Sequence, residues 1–237
     1  MTQRAHDELR NLNFDIGFQK NPKGSVLVSF GDTRVLCSAS VQPGAPRWKV
    51  AQDLPGGWVT SEYSMLPGST ESRKPRPWGS RVDSRGVEIR RLIGRSLRAV
   101  VDMEAIGPNS IYVDCDVIDA DGGTRCASIT GGAVALYQAL RTMKDEGEIE
   151  VFPMSEMVAA VSVGIKNGEA ILDLDYELDS TVNVDMNVVM TESGRLVEVQ
   201  GTAEEKAFTR DQMNQMLDLA EKGIKEIITA QKKALGI

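Results

Sequence analysis

Histidine is almost absent from this chain, and cysteine is scarce. The 237 residues include one histidine, His6, and three cysteines. A single histidine near the start argues against histidine-based catalysis and against a histidine metal site. The cysteines Cys37, Cys115 and Cys126 have no zinc-site spacing, and the first two lie in apolar strand patterns. We therefore expect reduced thiols and a cytoplasmic protein.

Long apolar runs are also missing, and negative charge exceeds positive charge. No apolar segment approaches membrane-spanning length, and the polar start, residues 1–8, predicts no signal peptide. The first dozen residues are expected to lie on the surface. The chain has 27 Lys and Arg against 34 Asp and Glu, a net charge of −7. This balance argues against a protein that coats nucleic acid by bulk charge, but a local basic groove is still compatible with it.

The most informative stretch is residues 114–131, DCDVIDADGGTRCASITG, where a strand pattern leads through a glycine turn into a helix pattern. Gly122 and Gly123 allow a positive φ, and Thr124 is predicted to cap the helix. Arg125 adds a forked cation beside the helix N-terminus, whose free N–H groups attract anions. The stretch is either a phosphate site or an ordinary strand-to-helix turn with a surface arginine. The buried face of the strand is expected to carry Ile111, Val113, Cys115 and Val117.

A basic stretch without hydrophobic periodicity covers residues 66–84. Its cations are Arg73, Lys74, Arg76 and Arg81. In an acidic chain such clustering indicates contact with nucleic acid, although a solvated loop is the other interpretation. The helix predicted over residues 85–101 carries Arg85 in its first turn, where the helix dipole disfavours a cation. Arg85 is therefore either held for an anionic ligand or a tolerated exposed arginine.

Residues 172–187 are dense in carboxylates. Predicted strands on either side of Asp179 are expected to pair, which would bring Asp179 close to Asp185. Two such carboxylates can hold Mg²⁺, which prefers oxygen ligands and keeps several waters. One of them could also act as a general acid toward a leaving oxygen. Asp173 and Asp175 are expected to face solvent.

The predicted elements describe an α/β (α+β) protein with mixed sheets. Each half has several strands followed by a helix, and the charged segment 144–150 is the expected boundary between residues 1–146 and 147–237. Residues 209–212, TRDQ, fit a capping box for the last helix. The predicted strands, besides the central one, cover residues 25–30, 34–41, 58–65, 157–165, 170–176, 182–190 and 195–200.

The inventory is an anion site, a paired-carboxylate site and a basic loop. Phosphoryl transfer on a nucleic acid could use all three. Spacing alone leaves Asp114 and Asp116, on the central strand, as rival metal ligands.

Six motifs together resemble bacterial ribonuclease PH, in order and over nearly the whole chain. They are GDTRVLC (31–37), GWVTSEYSMLP (57–67), RLIGRSLRA (91–99), DGGTRCASITG (121–131), DMNVVM (185–190) and VEVQGTAE (197–204). The resemblance implies a phosphate-dependent 3′→5′ exoribonuclease that trims tRNA precursors and other RNAs, releases nucleoside diphosphates and also adds nucleotides in reverse.

The resemblance also assigns residues. Inorganic phosphate, the co-substrate, would be held by Arg85, Gly123, Thr124 and Arg125. Asp179 and Asp185 would be the catalytic carboxylates and would bind Mg²⁺. The family forms a ring-shaped homohexamer, a trimer of dimers, whose basic loops would contact RNA through Arg73, Lys74, Arg76 and Arg81. No membrane association is implied.

Two other functions stay open at this point. One is a catalytically weak RNA-binding or ring-forming subunit of an exosome-like assembly. The other is a hydrolytic Mg²⁺ nuclease, which would release monophosphates and would have no use for a phosphate pocket.

Overall fold

The computed structural model describes residues 4–76, 83–203 and 207–237, which form two sheets and the helices between and around them. The strands are β1 (Leu12–Ile16), β2 (Gly24–Phe30), β3 (Thr33–Pro43), β4 (Trp58–Met65), β5 (Asn109–Asp119), β6 (Val158–Lys166), β7 (Glu169–Leu172), β8 (Val184–Thr191) and β9 (Leu196–Ala203). The helices are α1 (Arg47–Ala51), α2 (Ser84–Arg98), α3 (Thr124–Asp145), α4 (Tyr176–Asp179) and α5 (Arg210–Leu235). The predicted α/β class with mixed sheets is confirmed.

The first sheet has the strand order β1-β2-β3-β5-β4. Its strands pair antiparallel except β4, which runs parallel to β5. The predicted buried face of β5 is confirmed, because Ile111, Val113, Cys115 and Val117 are all buried. Strand β1 was not predicted, because it is short and alternates buried with exposed positions inside a polar segment.

The second sheet has the strand order β7-β6-β8-β9, which corrects the expected pairing around Asp179. The hairpin at Asn167 and Gly168 pairs β7 with one edge of β6, and β8 occupies the other edge. The two carboxylate-bearing segments are therefore separated by β6. Strand β7 also ends at Leu172 rather than at residue 176, because Asp173 takes a positive φ of 56° that breaks the strand.

Helix α3 lies between the two sheets and is buried on nearly all sides. It packs against β2, β3 and β5 of the first sheet and against β6 of the second. This position explains why the small polar residues Ser128 and Thr130 are as buried as the apolar ones. The Ser128 carbonyl faces the Cys37 and Cys115 thiols at 3.9 and 3.6 Å. The central helix is thus fixed by both halves of the chain.

The capping box predicted for the last helix is confirmed. The Thr209 hydroxyl accepts a hydrogen bond from the Gln212 N–H at 3.1 Å, and the Gln212 side chain accepts one from the Thr209 N–H at 2.9 Å. In the part of the chain that the structure describes, no helix is long and apolar enough to cross a membrane.

Replacing Gly24 by Ala is expected to destabilise the fold by about 1–3 kcal/mol. A Cβ at this position would lie 2.0 Å from the Ala135 carbonyl oxygen and 2.7 Å from the Ala139 nitrogen, so the backbone of α3 would have to move. Urea unfolding measures the loss. Gly68→Ala is the matched control, since a Cβ there meets nothing within 4 Å. Equal unfolding midpoints for both variants would contradict the expected close packing of β2 on α3.

Candidate active site

The glycine turn leads directly into α3 and leaves the helix start open to a ligand. Gly123 is the N-cap residue, with a φ of +65°, and no side chain caps the first N–H groups. The prediction that Thr124 caps the helix is therefore wrong. Thr124 is the first helical residue, and its hydroxyl instead lies 2.9 Å from the Tyr63 hydroxyl. The N–H groups and the positive end of the helix dipole together favour an oxyanion here.

Two arginines place positive charge near this helix start. Arg85 lies in the first turn of α2, as predicted, because the Asp83 carboxylate caps that helix at the Gly86 N–H, 3.1 Å away. Burial raises the pKa of the Tyr63 hydroxyl, while its bond to Thr124 and the charges of Arg85 and Arg125 act to lower it. Both guanidinium groups therefore act on the same hydroxyl beside α3.

Arg125 and the residue after it attach the helix start to the second sheet. The Arg125 Nη1 donates to Gln200 Oε1 on β9 at 2.5 Å and lies 3.3 Å from Glu88 Oε1 on α2. The Cys126 Sγ lies 3.4 Å from Asn187 Oδ1 on β8. Asn187 pairs with Gln200 across the sheet, so both contacts fall on one face of it. The start of α3 is therefore set against the polar face of the second sheet.

Asp185 lies on that same face. It is two residues before Asn187 on β8, and successive side chains of a strand alternate between faces. Its neighbours across the sheet are Gly164 on β6 and Thr202 on β9. Asp185 is partly exposed, so its carboxylate is accessible from the side on which α3 begins.

Asp179 lies at the end of α4, a short helix capped by the Asp175 carboxylate, which accepts from the Leu178 N–H at 2.8 Å. Asp179 is exposed at this end. Burial raises the pKa of the Cys126 thiol to about 12, and the negative charge of Asp179 contributes in the same direction. Asp179 therefore lies within electrostatic reach of Cys126, the residue that contacts Asn187.

Asp173 is not the solvent-facing residue that its acidic surroundings predict. It is only 1% exposed, and its carboxylate pairs with Arg10, with Asp173 Oδ1 2.8 Å from Arg10 Nη2. Arg10 is itself buried, which corrects the expectation that the first dozen residues lie on the surface. Asp175 is half-buried and caps α4, so neither carboxylate belongs to a solvated acidic hairpin.

Asp114 and Asp116, the rival metal ligands, lie on the opposite face of β5 from Cys115, which packs toward α3. They therefore point away from the start of α3. Burial raises the pKa of both carboxyl groups; the charges of Asp116 and Glu62 add to the effect on Asp114. Among the described residues, no group of three or more His, Cys, Asp or Glu side chains could hold a metal ion.

The basic stretch is exposed where the structure describes it. Arg73 and Arg76 are exposed and Lys74 is half-buried, whereas Arg81 lies outside the described residues. The positive charge of Arg76 partly offsets the burial that raises the pKa of Asp116. The stretch begins beside a cavity of about 680 Å³ that residues 68–71 share with residues 119–121, next to the glycine turn.

The sequence did not indicate several residues of this site. Tyr63 has the alternating pattern of a core strand residue, and its hydroxyl contact with Thr124 is a tertiary feature. Gln200 and Asn187 are neutral and lie in ordinary strands. These two residues could have been found only from their position on the same face of the paired strands β8 and β9. Recognising that position requires the register of the sheet.

The chain has close relatives. Residues 8–141 match the model of the 3′ exoribonuclease family, domain 1, and residues 156–223 match domain 2 of the same family. A ribonuclease PH of Corynebacterium efficiens is 55% identical over 235 residues, covering 99% of this chain and 95% of that protein. One of Syntrophomonas wolfei is 52% identical over 235 residues, covering 99% and 98%. Among solved structures, rice Rrp46 has the same fold, with a TM-score of 0.78 at 15% identity, covering 98% of each chain.

Proposed function

The chain belongs to the ribonuclease PH family of 3′ exoribonucleases, and we infer that it is a phosphorolytic 3′→5′ exoribonuclease that processes tRNA precursors. In this reaction an oxygen of inorganic phosphate attacks the last phosphorus of the RNA. The bond from that phosphorus to the 3′-oxygen of the preceding nucleotide breaks. A nucleoside diphosphate leaves, and the RNA is one nucleotide shorter. Run in reverse, the same steps add a nucleotide from a nucleoside diphosphate.

We propose that inorganic phosphate binds at the start of α3. The backbone N–H groups of Gly123 and Thr124 would donate to its oxygens, since no side chain caps them. Arg125 and Arg85 would neutralise the charge of the phosphate and of the phosphodiester it attacks. Arg125 suits this role because its bond to Gln200 holds the guanidinium in place before the ligand arrives.

We propose that Asp179 and Asp185 bind Mg²⁺ and form the catalytic half of the site. Mg²⁺ is commonly held by one or two carboxylates together with waters and substrate phosphates, so a pair of carboxylates is sufficient. Mg²⁺ is a hard cation that prefers oxygen ligands, and Thr202, which pairs with Asp185 across the sheet, offers a hydroxyl oxygen. When bound, the ion would stabilise negative charge on the phosphoryl group and on the leaving 3′-oxygen.

We propose that Arg73, Lys74, Arg76 and Arg81 contact RNA, and that the protein assembles as a homohexamer, a trimer of dimers. The net charge of −7 makes a single chain a poor binder of RNA by bulk charge, whereas a ring would gather several basic stretches around one opening. The three free, buried cysteines suit a reducing compartment, and we propose a cytoplasmic location.

One observation carries the proposed site most directly. Arg125 and Cys126, in the first turn of α3, contact Gln200 and Asn187 on the face of the second sheet that carries Asp185. These contacts hold the proposed phosphate-binding helix start against the sheet face that carries Asp185, which supports a site that combines phosphate binding with a carboxylate.

Product analysis on a short RNA with a single-stranded 3′ tail tests the function. The protein is incubated with Mg²⁺, with and without inorganic phosphate, and the released nucleotides are separated. We expect nucleoside diphosphates with phosphate and no release without it. With a nucleoside diphosphate in place of phosphate, the RNA should lengthen. Monophosphates released without phosphate would instead show a hydrolytic nuclease, and RNA binding without any product would show a ring-forming subunit.

A further inference from the structure

The side chain of Arg10, a buried arginine, contacts the glycine turn. Arg10 Nη1 donates to the Asp121 carbonyl oxygen at 2.5 Å, at the first residue of the turn. Its Nη2 lies against Gly123, where a Cβ would approach it to 3.0 Å. Arg10 therefore contacts the turn at both ends through one planar guanidinium group, whose fork holds its donors in fixed directions.

The same guanidinium is held by Asp173. Arg10 Nε and Nη2 donate to the two carboxylate oxygens at 3.0 and 2.8 Å, and the Arg10 backbone N–H donates to the same carboxylate at 2.8 Å. Arg4 adds a hydrogen bond to the Asp173 carbonyl oxygen at 2.8 Å. Bidentate arginine–carboxylate pairs of this kind fix orientation as well as distance.

Asp173 opens the segment that leads to α4 and Asp179. The next residues pack on the other side of the turn: a Cβ on Gly122 would lie 2.6 Å from the Leu174 carbonyl oxygen. The Tyr176 N–H lies 3.3 Å from Asp121 Oδ1. The turn thus lies between Arg10 on one side and residues 174–176 on the other. The ion pair between Arg10 and Asp173 connects these two sides.

The surrounding charges favour the charged form of the Arg10 guanidinium. Desolvation by burial acts to lower the pKa of Arg10, but the hydrogen bonds and charge of Asp173, with the charges of Asp121 and Asp175, raise it overall. Lys222 pairs instead with Asp7 on the surface, at 2.6 Å. The Arg10 side chain is 8% exposed and the Asp173 side chain 2%, so the pair has little direct access to substrate.

We propose that Arg10 and Asp173 are a pair of positioning residues that sets the phosphate-binding turn against the segment carrying Asp179. The proposal rests on the proposed function. The pair contacts the turn and not the substrate, so it acts by fixing the direction of the N–H groups of Gly123 and Thr124. Losing its geometry should weaken the binding of inorganic phosphate far more than the binding of RNA.

Arg10→Lys and Asp173→Asn test the proposal. Arg10→Lys keeps the charge and loses the fork, so the KM for phosphate should rise about tenfold, because small misplacements of binding groups are costly. Asp173→Asn should act in the same direction. The KM for RNA should change less than twofold in both variants. Phosphate alone, without RNA, should raise the Tm of the unmodified protein and raise that of the variants less.

The control is Lys222→Gln, which breaks the surface contact between the same N-terminal segment and α5 without touching the pair. It should leave both KM values unchanged. If Arg10→Lys or Asp173→Asn does not fold, Arg4→Ala, which removes one support of Asp173 from a partly exposed position, should give a smaller rise in the phosphate KM. If the pair has a purely structural role, the variants will contain less folded enzyme, so kcat per mole of protein will fall while the phosphate KM stays unchanged. That result would overturn the proposal. Phosphate-independent release by the unmodified protein would overturn the proposed function instead.

Discussion

Replacing Asp185 by Asn is expected to lower the kcat of RNA phosphorolysis by about 10³-fold, a loss typical of removing one acid–base or charge-stabilising group. The substitution keeps the size of the side chain and removes its negative charge. Asp185 is partly exposed at the edge of a polar face, so the amide should be accommodated and the free energy of unfolding should change little. Single-turnover assays with saturating phosphate measure the effect.

Two further variants test why Asp185→Asn loses activity. Asp179→Asn should reduce kcat in the same direction, and both variants should need more Mg²⁺ for half-maximal activity if the two carboxylates share the ion. Asp218→Asn, an identical change at an exposed position of α5, is the control and should keep full activity. Activity within twofold of the unmodified protein in Asp185→Asn would refute the assignment of Asp185.

Replacing Arg125 by Ala should raise the KM for inorganic phosphate by about 10- to 100-fold, the factor expected for losing a hydrogen bond to a charged group. The guanidinium is held by Gln200 and Glu88 beside the uncapped start of α3, so its loss removes a positioned cation and leaves the N–H groups in place. Initial rates over a range of phosphate concentrations, at saturating RNA, give the value.

Arg141→Ala is the matched control for this experiment. Arg141 is on the same helix, but it is exposed and pairs only loosely with Asp145, at 4.0 Å. Its removal should leave the phosphate KM unchanged and cost little stability, since exposed ion pairs contribute little. Were Arg125→Ala to show the same phosphate dependence as Arg141→Ala, the phosphate pocket would have to be placed elsewhere.

The central strand, the glycine turn and the three long helices α2, α3 and α5 could be predicted from local sequence patterns. The alternation of β5, the positive φ of Gly122 and Gly123, and the capping box at Thr209 are each decided within a few residues, so the sequence contains them. The same holds for Arg85, whose place in the first turn of α2 follows from the apolar spacing of that helix.

Pairings between distant segments could not be predicted in the same way. The insertion of β6 between β7 and β8 depends on which edge each strand occupies, and several arrangements bury similar apolar faces. In the sequence, Asp173 is one acidic residue among several. Its role becomes visible only in the structure, where it contacts Arg10, which lies 163 positions earlier in the chain. The sequence around Thr124 is favourable for an N-cap, but in the structure its hydroxyl contacts the Tyr63 hydroxyl, 61 positions away, instead of capping the helix.

The Arg10–Asp173 pair also has a consequence for the order in which the protein is made. Arg10 is synthesised 163 positions before Asp173, the residue whose carboxylate binds it. At about 5–20 residues per second that interval is about 8–33 seconds. Throughout it, Arg10 lacks its carboxylate partner and the glycine turn lacks the wall formed by residues 174–176. During this interval the nascent chain, still attached to its own messenger RNA, lacks a finished RNA-degrading site.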